Sequence, residues 1–567
     1  MHLTWIRRRL ASEDGFTMLA VIGAMALVTL MVGAALAATN GDLRLVRRDL
    51  SSKQAYAAAQ AGIADYVFHL TNDVGYWTRC DDVPGKNTGQ SAVNLDGANP
   101  LRSRPVPGAT DGSRYAIELL SASTGPKDGN NKPLPCSTSN PTGTMLEASG
   151  PNIGTFRIRS TGISPTGGSG DTRASIVATF KQATFLDYVY FTQLETSDPV
   201  TYGFANPSAA LTGAYSQCTK FRRDGRENAP IPGTNPAQSC DQIVFVSNDK
   251  INGPVHTNDD LKICGTPTFG RNTTDITEVS APPTGWSGSS NCSGNTPTFK
   301  GPFVTNAPVL TPPPTNISLS TIAGPDYTYT GQTSIVLGGN TMQINGGPSV
   351  PIPTDGVVYV KNGSCTSSYS PFTATYPPSS GCGNAIVHTS SAYTGQLTIA
   401  AENDVIIDGN INRASGSGGL LGLLANNFVR VKHPICASGD PSCANGTTTA
   451  ETAKGQCNSG TNGNGSLTNP TIDAAILAIS HSFIVDHYDC GGNSLGTLTV
   501  NGAISQKFRG AVGTTSNNSI ANGYAKSYNY DDRLRYQEPP YFFDPVQSAW
   551  HIQRETLTNS PTVPHVP

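Results

Sequence analysis

The chain has 567 residues, a formal net charge of -3 and only 14% charged residues, well under the roughly 25% of ordinary soluble domains. That balance leaves no footprint for nucleic acid, whose binders carry a concentrated basic face. The charges are replaced by Ser, Thr, Asn and Gly, which points to a β-rich extracellular chain or a partly disordered one, and the length allows two to four domains or one long solenoid.

The first element is EDGFTMLAVIGAMALVTLMVGAALAATN. Between Phe16 and Ala38 it holds 23 residues without a charge, enough at about 1.5 Å per residue to span the roughly 30 Å of bilayer hydrocarbon. The following Gly41–Asp73 segment places Leu43, Val46 and Leu50 at helical spacing and is dominated by alanine from Ala55 to Ala64. Alanine is the best helix former, so the spacing predicts one helix from about Phe16 to Leu70, apolar all round at first and amphipathic later. Three roles compete for its start. Arg7, Arg8 and Arg9 with Ala35-Leu36-Ala37 suit a cleaved signal peptide, but the apolar run is too long for one. A plain single-pass anchor with the C-terminal bulk outside is the second role.

The third rests on a detail. The acidic pair Glu13-Asp14 is followed by Gly15, Phe16 and Thr17, and then by the unbroken apolar run. This resembles the class III signal of type IV prepilins and type II secretion pseudopilins, and AYAAAQAGIADY resembles the helix of PilX-like minor pilins. The resemblance implies cleavage between Gly15 and Phe16 by a prepilin peptidase, methylation of Phe16, and storage in the inner (cytoplasmic) membrane as a single-pass precursor. The helix would then enter a pilus or secretion filament at the cell surface. Its partners would be the peptidase, the assembly machinery and other pilin subunits. Pilins commonly carry a glutamate at mature position five; here it is Ala20. Without that internal counter-charge, and with so large a body, the chain suits a minor or tip subunit better than a major one.

Residues 71–184 read as a small helix-packed β region, with strands at Tyr115–Ser123, Thr155–Ile163 and Arg173–Gln182, the last two a hairpin across the GGSG at Gly167–Gly170. From 185 to 515 short apolar runs alternate with Asn, Asp, Gly and Pro. "INGPVHTNDDLKICG", "IAAENDVIIDGNI" and "LTVNGAISQKFRG" each set an apolar pair beside an Asx-Gly turn. That is how a β-solenoid or β-helix reads, one strand per side and a turn at each corner; a β-sandwich is the alternative. Residues 516–567 read as an aromatic-rich cap and tail. The whole is expected to be α+β: a transmembrane pilin-like helix, a small antiparallel sheet and a large mainly β body. INGPVHTNDDLKICGTPTF and the SQKFRGAVGT to EPPYF stretch also resemble segments of large β-rich bacterial envelope proteins with pilin-like N-termini.

Twelve cysteines follow a hydrophobic N-terminal segment: Cys80, Cys136, Cys218, Cys240, Cys264, Cys292, Cys365, Cys382, Cys436, Cys443, Cys457 and Cys490. The even count implies disulfides in an oxidising space. Neighbour pairing is simplest: 80–136, 218–240, 264–292, 365–382, 436–443 and 457–490.

Chemistry is harder to find. No GxSxG, HExxH or phosphate-binding glycine loop occurs. His481 and His487 would lie too far apart along a strand to share a metal. His256 with Asp259 and Asp260 reads as a solvated turn. Asp404, Asp408 and Asn410 offer hard oxygen ligands for calcium, although Asx turns account for them equally. Lys507, Arg509, Lys526, Asp531, Asp532, Arg533 and Arg535 read as ion pairs that fix the tail. The expected role is therefore assembly, adhesion or surface contact without catalysis or cofactor. Alternatives are a membrane-anchored solenoid adhesin that does not polymerise, or a β-helix enzyme acting on envelope polysaccharide through paired acids.

Overall fold

The computed structural model describes residues 16–73, 75–78, 103–134, 136, 140–147, 155–165, 171–182, 184–203, 207–234, 236–247, 249–289, 292, 294–366, 369–437, 451, 454–457, 460–516, 519–535, 537–546 and 550–558. They fall into two compact units. One is drawn from within Met1–Ser149, Gly154–Lys181 and Trp550–Pro567, the other mainly from within Gln182–Ala549.

The first unit pairs a helix, Phe16–Asn72, with a five-stranded sheet. Strands Arg114–Leu120, Thr155–Ser164 and Thr172–Gln182 run antiparallel in sequence, with Arg104–Pro105 on one edge and Trp550–Thr558 on the other. Ala55, Ala59, Ile63, Tyr66 and Leu70 recur every three to four residues along the helix and are all buried, the stripe that a helix on a sheet requires. Contact is close because the side chains there are small. Ser160 donates to the Ala59 carbonyl at 2.8 Å, and a methyl on Gly162 would overlap the Ala55 carbonyl oxygen and the Ala59 nitrogen. Beyond this seam Tyr66, Phe156, Phe180, Trp77 and Trp550 form one aromatic core, with Phe156 stacked on Phe180 at 5.0 Å.

The expectation of an α+β chain with a transmembrane helix is corrected. The described elements are mainly β, and among the described residues no helix is long and apolar enough to cross a membrane. The single-pass membrane precursor falls with it.

The second unit is a coil of parallel strands. Thr298–Phe299, Thr268–Phe269, Lys250–Asn252, Ser519–Tyr530, Ser494–Arg509, Thr471–Ala478, Leu420–Ala425, Gln396–Ala401, Val357–Lys361 and Thr328–Thr330 pair in that order, every ladder parallel. A second side stacks Thr333–Gly339, Ala385–Tyr393, Val405–Ile407, Val429–Val431 and Phe483–Val485. The chain passes from one side to the other and back on each turn, so equivalent residues lie above one another. Ile399, Leu423, Ile476 and Ile504 share one register row; Val387, Ile407, Val431 and Val485 share another. All eight are fully buried, each contributing roughly 1.5–3 kcal/mol. Such parallel stacking is not the antiparallel packing of a sandwich.

Corners carry polar ladders. Asn427 donates to Asn403 at 2.7 Å, and Asn403 donates to Asn384 at 2.6 Å, one amide per turn. Disulfides Cys218–Cys240, Cys264–Cys292, Cys365–Cys382 and Cys457–Cys490 clip the loops, each joining sequence neighbours. Cys136 and Cys436 are also disulfide-bonded; Cys80 and Cys443 lie outside the described residues.

Candidate functional site

A cavity of about 410 Å³ in the coil is a groove on the outer face of the long parallel sheet. Its floor is set by strand register. Asp473, Asn501, Asn529 and Asn252 are Cα partners on four consecutive strands, and all face outward because their strand neighbours Ile472, Val500, Tyr528 and Ile251 point into the core. Asn501 donates to Asp473 Oδ1 at 2.7 Å, Asn529 to Asn501 at 3.0 Å and Asn252 to Asn529 at 2.8 Å, all in one sense. Asp473 Oδ2 accepts from the Arg413 amide at 2.8 Å, and the Tyr393 hydroxyl donates to the Asp473 carbonyl at 2.7 Å.

The wall is the tail segment. Arg533 forks onto Asp531 at 2.5–3.1 Å and gives a further donor to the Gly419 carbonyl at 3.0 Å. Burial would push the Asp531 carboxyl up, but its bonds to Arg533 outweigh that and hold it below the usual carboxylate range. The groove thus presents amides, paired charges and tyrosine-bound carbonyls.

A second cavity, about 270 Å³, has Asp404 and Arg430 on its floor and the Tyr369–Ser379 loop over it. Arg430 lies between two carboxylates, Asp404 at 3.1 Å and Asp486 at 3.2 Å, and over the Tyr369 ring at 4.4 Å. Tyr369 and Tyr376 both donate to Asp486. Burial raises the Asp404 carboxyl and Arg430 opposes the rise. With all three charged groups at most 3% exposed, this is a closed ion-pair set.

The calcium candidates do not converge. Asp404 is held by Arg430, Asp408 binds His388 Nδ1 at 2.8 Å, and Asn410 accepts from the Thr471 amide at 3.0 Å. Among the described residues no group of three or more His, Cys, Asp or Glu is placed to hold a metal. His481 bonds Asp198 at 2.7 Å and stacks on Phe428; His487 bonds Glu451 at 2.8 Å. His256 bonds Glu278 and Asn258, both at 3.1 Å. The solvated turn expected beside it is instead dry, with Asp259 fully buried against Arg226. The tail cluster divides: Arg533 and Arg535 pair with Asp531, Asp275 and Asp532, whereas Lys526 pairs with Asp249 and Arg509 with Glu195 inside the coil. Phe16 is the first described residue of the helix; Gly15 lies outside the described residues.

The amide row was missed in the sequence although a signal existed: Asp473, Asn501 and Asn529 recur at an interval of 28 residues, each beside apolar neighbours.

No family model matches the chain, and no curated protein matches it. Among solved structures, the competence-associated pilin ComZ from Thermus thermophilus is similar over 90% of this chain and 98% of its own, at 12% identity and a TM-score of 0.25. A likeness that loose to a pilin places no residue and assigns no activity.

Proposed function

We propose that the chain is a pilin-like subunit, a minor or tip component of a type IV pilus or type II secretion-like filament, which displays the coiled β body for assembly, adhesion or surface contact. Its partners are a prepilin peptidase, the assembly machinery and other pilin subunits. The observation that carries the reading is the helix that follows Gly15. It docks its Ala55–Leu70 stripe on the antiparallel sheet, and it leaves Met18, Met25, Leu30 and Met31 64–74% exposed. Side chains so apolar need apolar cover, and like helices of neighbouring subunits supply it. The role is display rather than catalysis.

Mass spectrometry of the mature N-terminus tests this, with N-methylated Phe16 expected. In a strain lacking the peptidase, Met1 should persist and the β body should vanish from sheared surface fractions. An uncut chain with normal surface display would sink the reading.

A further inference from the structure

We propose that the groove over Asp473, Asn501 and Asn529 binds a neutral glycan, laid across the strands along the amide row. This deepens the display reading by naming a ligand class, yet it does not depend on assembly, since a chain that never polymerises keeps the groove.

Three features select the ligand. First, the row is periodic. Each ladder amide spends one of its two N–H groups on its neighbour, and each accepting oxygen keeps a second lone pair. One donor and one acceptor site thus recur at Asn501 and Asn529, spaced by the strand separation of about 4.8 Å. That step is close to the length of one pyranose unit, and hydroxyls are the groups that donate and accept at once. Second, the charges are already engaged. Arg533 is spent on Asp531 and Gly419, and Arg413 reaches the Ala414 and Ser417 carbonyls at 3.4 Å. Asp532 is itself held by Arg271 at 2.7 Å and by Arg535 at 3.5 Å, so a polyanionic glycan or nucleic acid finds arginines already committed rather than a clamp. Third, a peptide has no purchase. Strand addition needs an open sheet edge, whereas these strands are paired on both sides and the groove runs over their faces. The apolar lining residues Leu420, Leu421, Ala474, Ala475 and Leu534 are all at most 4% exposed, so no apolar pocket awaits a side chain. The volume lies within the roughly 300–1,000 Å³ of small-ligand sites and suits a short run of sugar.

The test is calorimetric titration of the full chain with cellohexaose, maltohexaose and chitohexaose, against hexagalacturonate as the anionic comparator and a glycine-serine hexapeptide. At least one neutral hexaose should bind at millimolar concentration or below, and more tightly than the comparators. Asn501→Ala and Asn529→Ala should each weaken it about tenfold, the loss of one or two hydrogen bonds, while Lys300→Ala away from the groove leaves it unchanged. If an alanine variant fails to fold by circular dichroism, Asn501→Thr, whose β-branched side chain suits a strand, withdraws the amide without adding charge and should show the same loss. Absence of binding by all three neutral hexaoses overturns the assignment. So does tighter binding of hexagalacturonate or the peptide, or unaltered affinity in the folded variants. Failure here with methylated Phe16 intact would leave the filament reading standing.

Discussion

The helix-bearing unit and the coiled body bury their polypeptide by opposite means. In the first, an alanine stripe meets Ser160 and Gly162, side chains are removed until backbones touch, and an aromatic cluster fills the remainder. In the second, each turn seals the next with aliphatic rows, and strands and loops alike bring charge into dry places. Arg226, Arg430 and Arg509 are each at most 3% exposed and each bound to a carboxylate. The difference teaches where each is fragile: the helix seam to added volume, the coil to removed charge.

The sharpest way to break that contrast is Arg430→Met. It leaves Asp404 and Asp486 buried without their cation, which costs about 3–5 kcal/mol when one partner of a buried pair is removed. In denaturant unfolding the coil should lose that stability, followed through Trp286, while Trp77 and Trp550 of the helix unit report an unchanged midpoint. Replacing Asp404 and Asp486 by Asn in the same chain should restore part of the loss. Equal shifts at both sets of tryptophans would show that the two regions do not unfold independently.

Gly162→Ala probes the other side. One methyl must displace the Ala55–Ala59 turn of the helix, and overpacking of this kind costs roughly 1–3 kcal/mol. The Trp77 and Trp550 signal should now move and the Trp286 signal stay. A neutral result would mean that the helix seats loosely.

How much of this was legible follows the same division. The alternation of Arg173–Gln182 and the alanine run carry local information, and strand and stripe stand where those residues put them. In ENDVIIDGNI the corner residues announce turns, and Asn403 does link successive turns. What Asp404 touches was not legible, because Arg430 reaches it from the next turn; a ligand trio and a buried ion pair read alike until the coil sets the register. The apolar Phe16–Ala38 run shows the converse error. Length and lack of charge suggested a membrane span, although neither specifies what surrounds a helix. Trp550–Thr558 reads as tail, yet it closes the first unit's sheet, with contacts 379 and 383 residues distant that no local pattern encodes.

The smallest effect concerns a single proton. Glu451 lies fully buried, its Oε2 2.8 Å from His487 Nδ1, beside the Cys457–Cys490 clip. Burial raises its carboxyl to about 7; the nearby Asp489 adds to the rise and the His487 bond opposes it. In the unfolded chain the same group titrates near 4.3. Between those values the folded state holds the extra proton, so Glu451 lowers stability as pH rises from about 4 to about 7, and the loss is complete above that. Glu451→Gln cannot titrate. The difference in coil midpoint between variant and wild type should therefore grow in the variant's favour across that interval and level off beyond it. Parallel curves from pH 4 to pH 8 would show that Glu451 is already ionised in the fold, and that a buried carboxylate of the coil is sustained by His487 as Asp404 is by Arg430.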